Sequence, residues 1–376
     1  MQVIDSHTDS IFRVIGSCID KKINFAAYRL PGKTELTLVV QKDPEIHEVN
    51  DITGKLPEKG FLIAPFLRNS TDKTCLIHPD IMIRDCPSPQ QLKEIRDLPA
   101  LQPDSLNMAI PEDTSRNEYI DLIGNTIEKI REGVFEKVVL SRVKSVQGDY
   151  SSRLADIFDT LCETYTGAFV YLFCLKGHCW TGASPEPFLC ARNGELTAAS
   201  MAGTRTYAAE NSNVGNWNSK ELQEQEYVTR HIEKVLLSQS ITGFSKNGPY
   251  AAKAGNLIHL RTDFSFPVYD AGKNLPRLIG ALHPTPAVCG MSTGKALDFI
   301  RNAEKHNREY YTGLLGPVGL DDLMQLYVNI RCMKVLDDRL ILYIGGGITL
   351  DSVAEEEWEE TEIKADTLLS VLHQLE

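Results

Sequence analysis

Near the C-terminus the run Glu357-Trp358-Glu359-Glu360-Thr361-Glu362-Ile363-Lys364 places the strongest condition on any fold this chain can adopt. Trp358, Ala365, Leu369 and Leu372 recur at helical spacing, so one face of a helix is expected to pack on a core while Glu357, Glu360 and Lys364 follow one another along a neighbouring stripe. Taken alone, such a stripe fits a solvated helix face with ordinary i,i+4 pairs. A second predicted helix repeats the pattern, because Glu221 and Glu224 stand three apart in KELQEQEYV. Two pairs of acids able to face each other across a pocket offer hard oxygen ligands of the kind that suit Mg²⁺, which takes one or two carboxylates directly and keeps several waters.

With 376 residues, 42% of them hydrophobic, the chain can bury a substantial core. Its formal charge of −12 argues against nucleic-acid or anionic-membrane partners and leaves room for a local basic pocket that takes an acidic small molecule. The cysteines (Cys18, Cys75, Cys86, Cys162, Cys174, Cys179, Cys190, Cys289 and Cys332) are odd in number and include no CxxC pair, so each reads as a reduced, small, buried apolar residue. MQVIDSHTDSIFRVIG lacks the features of a signal peptide, and no run approaches the ~20 apolar residues of a membrane span, so a cytoplasmic location is expected.

Residues 1–112 form a leading part that ends in a Pro-rich linker at 85–112, and residues 113–376 hold the remaining elements. The leading part reads as an opening helix followed by short strands, among them LTLVV and GFLIAPF. His7, Asp5 and Asp9 lie close together there but fit a capped helix start better than a metal site. Thr114 or Ser115 caps a helix through about Arg131, with Ile120, Ile123, Ile127 and Ile130 on one face and Gly133 as its breaker. Further helices are expected over Leu154–Tyr165, Glu221–Leu237 and Thr293–Asn307, and the last third adds YTGLLGPVGL, LMQLYVNIRCMKVL and RLILYIGGGITL as strands. Hairpin-like strand successions mixed with long helices favour α+β over a regular βαβ array.

Several charges sit where chemistry could use them. Lys137 lies inside the apolar strand EKVVLSR, either on its wet face or buried for use as a base. Glu186 in GASPEPF sits at a turn, and Arg331 in NIRCMKV is embedded in an apolar strand as a carboxylate binder or a buried ion-pair partner. Gly345-Gly346-Gly347, after LILYI, could bring backbone N–H groups close to an anion or relieve crowding at a bend. His259 and His283 fit satisfied core histidines as well as they fit a site.

In order and spacing, KVVLSR, GASPE, MAGTR, KELQEQE, IHLRT, LHPTPAVCG, YYTGLLG, NIRC, GGGI and EEEWEETEIK resemble the chorismate-utilising enzymes, most closely the isochorismate synthases. The resemblance spans about Ser115 to the C-terminus. It implies an α+β fold of two packed antiparallel sheets with helices outside and the pocket between them. It implies that Glu224 and Glu360 bind Mg²⁺ directly, with Glu221 and Glu357 acting through water. Arg331, Tyr311 and Lys364, with backbone groups near Gly345 and Gly347, would hold the enolpyruvyl carboxylate of chorismate, while Gly203 and Thr204 line the ring face and Ala287 completes the pocket. Lys137 would activate water at C2, Glu186 would protonate the hydroxyl leaving C4, and His259 would orient that hydroxyl.

The resemblance also separates sister activities. Lys137 stands where ammonia-using members have Gln, and Ala202 where aminodeoxychorismate synthases have Lys. Salicylate synthases share the water-activating Lys and stay open, though Ala287 replaces their usual Thr; an inactive binding or regulatory member would have lost the acid, base or metal residues. Gln225 departs from the family's His after the metal-binding Glu. The resemblance points to a monomer and leaves supply of menaquinone or of a siderophore equally open.

Overall fold

The computed structural model describes residues 10–49, 59–69, 72–102, 110–254 and 257–375. His7, Asp5 and Asp9 lie outside them. Strands numbered in chain order form two nine-stranded sheets. The first sheet runs β14 (Gly290–Met291), β7 (Lys137–Gln147), β18 (Arg339–Ile348), β17 (Cys332–Val335), β9 (His178–Ser184), β8 (Phe169–Leu175), β1 (Phe25–Arg29), β2 (Leu36–Val40) and β6 (Ile81–Arg84). The second runs β12 (Ser245–Ala254), β13 (Leu257–Pro267), β11 (Glu195–Thr206), β10 (Pro187–Arg192), β16 (Leu323–Val328), β15 (Leu314–Leu320), β4 (Gly60–Ala64), β5 (Cys75–Ile77) and β3 (His47–Glu48). Neighbouring strands pair antiparallel throughout. The fold is therefore the expected α+β arrangement of two packed antiparallel sheets.

FVYLFCL in β8 is buried at every position because both faces of its sheet are covered. Between the sheets, aromatic rings interlock: Phe169 stacks on Tyr327 with centroids 4.1 Å apart, and Tyr28 meets Phe61 at 5.5 Å. Outside the first sheet, α1 (Ile11–Asp20), α2 (Pro89–Asp97), α4 (Leu154–Thr164) and α9 (Ala354–His373) share one apolar cluster. On the second sheet, α5 (Ser219–Ser238) and α7 (Leu275–Leu282) bury Val228, Ile232, Leu278 and Ile279, next to the short α6 (Val268–Ala271). A further cluster joins α3 (Arg116–Arg131) and α8 (Thr293–Ala303) to β7 through Tyr119, Ile123, Ile130, Ala296 and Ile300.

Residues ahead of the Pro-rich stretch are divided between the sheets, β1, β2 and β6 in one and β3 to β5 in the other. Within that stretch Ser88 and Gln91 form a capping box and Pro89 opens α2, so the composition that reads as a linker also starts a helix. Ser115 caps α3 reciprocally with Glu118. The buried row of α3 is Tyr119, Ile123, Thr126 and Ile130, with Ile120 and Ile127 only half-buried beside it. LMQLYVNIRCMKVL is two strands, broken where Arg331 takes a left-handed φ of 51°. The helix expected to reach Asn307 stops at Ala303. Not every cysteine is a reduced apolar residue: Cys174 and Cys179, opposed across the β8–β9 hairpin with Cα atoms 4.1 Å apart, are joined as a disulfide, and Cys86 is exposed.

The stripe on α9 also differs from its reading. Glu357, Thr361, Lys364, Leu368 and Val371 are buried, whereas Trp358 and Leu369 flank them half-buried, so the polar stripe itself faces inward. Cations under the helix make this possible. The guanidinium of Arg142, from β7, lies 4.1 Å over the Trp358 ring, donates to Thr361 Oγ1 at 2.7 Å and pairs with Glu362, which also accepts from Lys144 at 2.7 Å. Arg142→Met is expected to cost about 2–3 kcal/mol, because it strips α9 of a buried charge-assisted contact while Lys144 still holds Glu362. Chemical denaturation measures this, and an unchanged midpoint would show that the apolar face alone holds the helix.

Candidate active site

Two local breaks in the sheets open a cavity between them. In the first sheet β17 begins only at Cys332 and pairs with β18 from Leu340 to Tyr343, so the continuation of β18 through Gly345, Gly346 and Gly347 is flanked by β7 alone. In the second, two residues of β11, Gly203 and Thr204, stand opposite one residue of β13, His259. Gly203 has a φ of 70°, a conformation that favours glycine, and its carbonyl is turned to His259 Nδ1 at 3.0 Å. The cavity between these breaks is lined by Glu186, Gly203, Glu224, His259, Ala287, Tyr311, Arg331, Gly345, Gly347, Glu360 and Lys364. Those residues come from nearly the full length of the sequence after the linker.

Glu186 bridges β9 and β10, its N–H donating to Ser184 Oγ at 3.2 Å and its carbonyl accepting from Val328 at 3.0 Å. The turn acid is thus a buried one. Burial pushes its carboxyl up to about 7, against the pull of Lys137, Arg331 and Lys364, so near neutral pH it holds a proton to give. His259 is pushed down to about 3, first by burial and then by Arg331, so its ring is neutral. A carbonyl only accepts, so Nδ1 carries the proton toward Gly203 and Nε2 is the acceptor nitrogen. Arg331 sits in the bend before β17 rather than within a strand, and burial lowers its pKa. Among the described residues no carboxylate lies within ion-pair distance of it, which suits it to an incoming anion. Lys364 pairs with Glu360 at 2.6 Å and donates to Gly345 O at 2.9 Å.

Lys137 is fully buried and lies behind the wall rather than in it. Its amine is 2.8 Å from Glu224 Oε1, the carboxylate that faces the cavity from α5. Gly347 makes this pair possible: a methyl there would fall on the Glu224 carboxylate and lie 2.9 Å from Cε of Lys137. The glycines are therefore inside β18, not after it, and two of them leave space for acids. A methyl on Gly346 would meet Glu357 at 3.5 Å and Glu360 at 4.0 Å.

Hard carboxylates from α5 and α9 thus converge on two glycines, a donor set whose chemistry and charge fit Mg²⁺. As they stand, no three of the described carboxylates are grouped tightly enough to enclose an ion. Each is instead matched to a cation: Glu224 to Lys137, Glu360 to Lys364, Glu357 to Lys220 at 2.6 Å and Glu221 to Arg205. Glu221 also closes the capping box of α5 with Asn218, which keeps it outside the cavity. The side chain of Thr204 lies outside what the structure describes. Gln225 points away from the acids, its Nε2 within 2.9 Å of Ser200, Thr229 and Thr262 hydroxyls, so it anchors α5 to the second sheet. Lys220 and Arg205 were missed from sequence, although a lysine in the first turn of a helix, against the dipole, is a signal that something negative lies near. His283 is buried between Phe66 and Phe188, away from the cavity lining.

The fold and the cavity define a protein of two packed sheets whose pocket gathers a buried guanidinium, a lysine and carboxylates. A model of the chorismate-binding enzymes matches residues 33–373, and the chain belongs to that family. It is 27% identical over 281 residues to isochorismate synthase MenF of Bacillus subtilis, covering 72% of this chain and 59% of that protein. It is 29% identical over 265 residues to the salicylate biosynthesis isochorismate synthase of Pseudomonas aeruginosa, covering 68% of this chain and 55% of that protein. The chain spans less than two thirds of either relative's length. In fold it is similar to the menaquinone-specific isochorismate synthase MenF of Escherichia coli, with a TM-score of 0.76 over 99% of this chain and 92% of that one at 19% identity. Anthranilate synthase component I of Streptococcus pneumoniae is more distant, with a TM-score of 0.62 over 92% and 89% at 18% identity.

The raised pKa of Glu186 has a stability consequence. Its folded value near 7 exceeds the usual carboxyl value of 4.5, so burial is tolerated fully below pH 4.5 and costs on the order of 3 kcal/mol once pH has risen through 7. Glu186→Gln is therefore expected to gain thermal stability over the parent as pH rises from 5 to 8. A difference in Tm that does not vary with pH would refute this.

Proposed function

We propose that this chain is a Mg²⁺-dependent isochorismate synthase that converts chorismate reversibly to isochorismate. The observation that carries the reading is a buried acid in the cavity that holds a proton near neutral pH, Glu186, with a buried amine, Lys137, held directly behind the cavity wall by Glu224. Support also comes from the family membership and from relatives that bear this name. In this reading Lys137 takes a proton from the water whose oxygen bonds to C2. The ring double bonds shift, the C4–O bond breaks, and Glu186 protonates the departing hydroxyl, which leaves as water. One water enters and one leaves, so the product is an isomer, and return of a proton from Lys137 to Glu186 restores the starting state.

His259 accepts a hydrogen bond from the hydroxyl at Nε2, which orients it toward Glu186. Arg331, Lys364 and Tyr311 hold the enolpyruvyl carboxylate against the Gly345–Gly347 backbone, and Ala287, Gly203 and Thr204 shape the ring site. Glu224 and Glu360 would hold Mg²⁺, with Glu357 supporting through water, and the ion when bound would neutralise the ring carboxylate; Glu221, expected beside Glu357 in that supporting role, is instead held by Arg205 outside the cavity. Lys137 must be released from Glu224 to act, so the amine and the metal share one carboxylate. The enzyme is read as a cytoplasmic monomer without nucleic-acid or membrane partners; none of the described helices is long and apolar enough to cross a membrane.

Purified protein given chorismate should yield isochorismate at a fixed final ratio, only with Mg²⁺ and without pyruvate. Salicylate with pyruvate would overturn the product assignment, and no conversion would overturn the activity. Lys137→Ala and Glu186→Gln should each lower kcat by about 10²–10⁴-fold. Gly347→Ala, which places a methyl on the Glu224–Lys137 pair, is expected to fall in the same range while retaining a folded circular-dichroism spectrum. Near-normal turnover in Lys137→Ala would remove it as the base.

A further inference from the structure

We propose that Lys220 is a built-in counter-cation that competes with the divalent ion for the acid cluster and thereby sets the protein's metal affinity. The inference rests on the Mg²⁺ reading above and concerns a residue that the chemistry does not use. Lys220 occupies the second position of α5, where a positive charge is opposed by the helix dipole, so its placement needs a compensating attraction. The acids supply it. Lys220 Nζ is 2.6 Å from Glu357 Oε1 and lies within electrostatic reach of Glu224 and Glu360, three of the carboxylates assigned to the ion.

The other three cations at the cluster have separate duties. Lys137 is the proposed base and Lys364 also holds Gly345 O. Arg205 is fixed by two bonds to Glu221, by the carbonyl of Asn216 and by the Trp217 ring 4.8 Å away. Lys220 makes no bond of that kind to the fold in addition to its Glu357 pair among the described contacts. About 29% of its side chain is exposed, so its long stem can carry the ammonium to solvent without repacking. With Glu224 and Glu360 holding a dication, the Lys220 ammonium would be repelled and Glu357 would be freed to accept hydrogen bonds. Each binding event then includes the displacement of one internal charge. That displacement weakens the affinity relative to a cluster lacking it.

Titration calorimetry with MgCl₂ on the full chain tests this directly, without turnover. Lys220→Met is expected to bind Mg²⁺ about tenfold more tightly than the parent and to show a larger rise in Tm on adding Mg²⁺, whereas Lys220→Arg keeps the parent affinity. Amine labelling read by mass spectrometry gives a second measurement on the unaltered protein: Lys220 should become more reactive when Mg²⁺ is added. Unchanged or weaker binding by Lys220→Met, or labelling at Lys220 indifferent to Mg²⁺, would overturn the proposal and make Lys220 a clamp on Glu357. Absence of Mg²⁺ binding by the parent itself would instead overturn the metal reading, and this inference with it.

Discussion

Everything at the cavity depends on carboxylates brought into a protein interior with their charge matched on the spot. Buried acids are tolerated when each meets a cation and its remaining lone pairs are satisfied. Here Glu224, Glu357 and Glu360 arrive on two helices from opposite parts of the sequence and converge on one strand. They fit because β18 has no side chains at Gly346 and Gly347, and they are held because Lys137, Lys220 and Lys364 meet them. A small change in any of these components is felt by the others, since the pairs share one volume.

The same desolvation has opposite effects on the two groups assigned to proton handling at the leaving oxygen. It keeps Glu186 protonated against the pull of nearby cations, and it keeps His259 neutral with their help. Near neutral pH the first can therefore donate a proton and the second can accept a hydrogen bond. Arg331, held in a left-handed bend where β16 gives way to β17, stays cationic despite burial because a guanidinium is so strongly basic. The sheets supply this arrangement by stopping: β17 ends its pairing before the glycines, and β11 bulges opposite His259. Regular ladders would have closed the space.

Much of the architecture was legible in the order of motifs, and the helix start at Ser115 follows from a side chain that caps locally, whereas the helix expected from Glu221 begins two residues earlier, capped by Asn218. Orientation was less legible. Periodicity placed Leu369 inward on α9, but Leu368 is buried and Glu357, Thr361 and Lys364 join it, because Arg142 and the acid-binding lysines lie beneath. Hydrophobic pattern cannot register such a face, since Glu357 and Thr361 are drawn in by partners 130 or more residues away. Likewise LMQLYVNIRCMKVL reads as one strand until the backbone turn at Arg331 is known.

By itself the sequence determined the residue types, their spacing and therefore the chemistry on offer: two acid pairs, a lysine in an apolar strand, an acid after Ser-Pro and a run of three glycines. Local rules sufficed for that, since caps, periods and motif order involve neighbours a few positions apart. Only the tertiary structure decided which acid meets which cation, that Lys137 stands behind Glu224, that Glu221 is taken by Arg205, and that Lys220 belongs to the cluster. The physical reason is that charge pairing and desolvation depend on distance in space and on what is excluded from it, and the two sheets bring together residues that no local pattern connects.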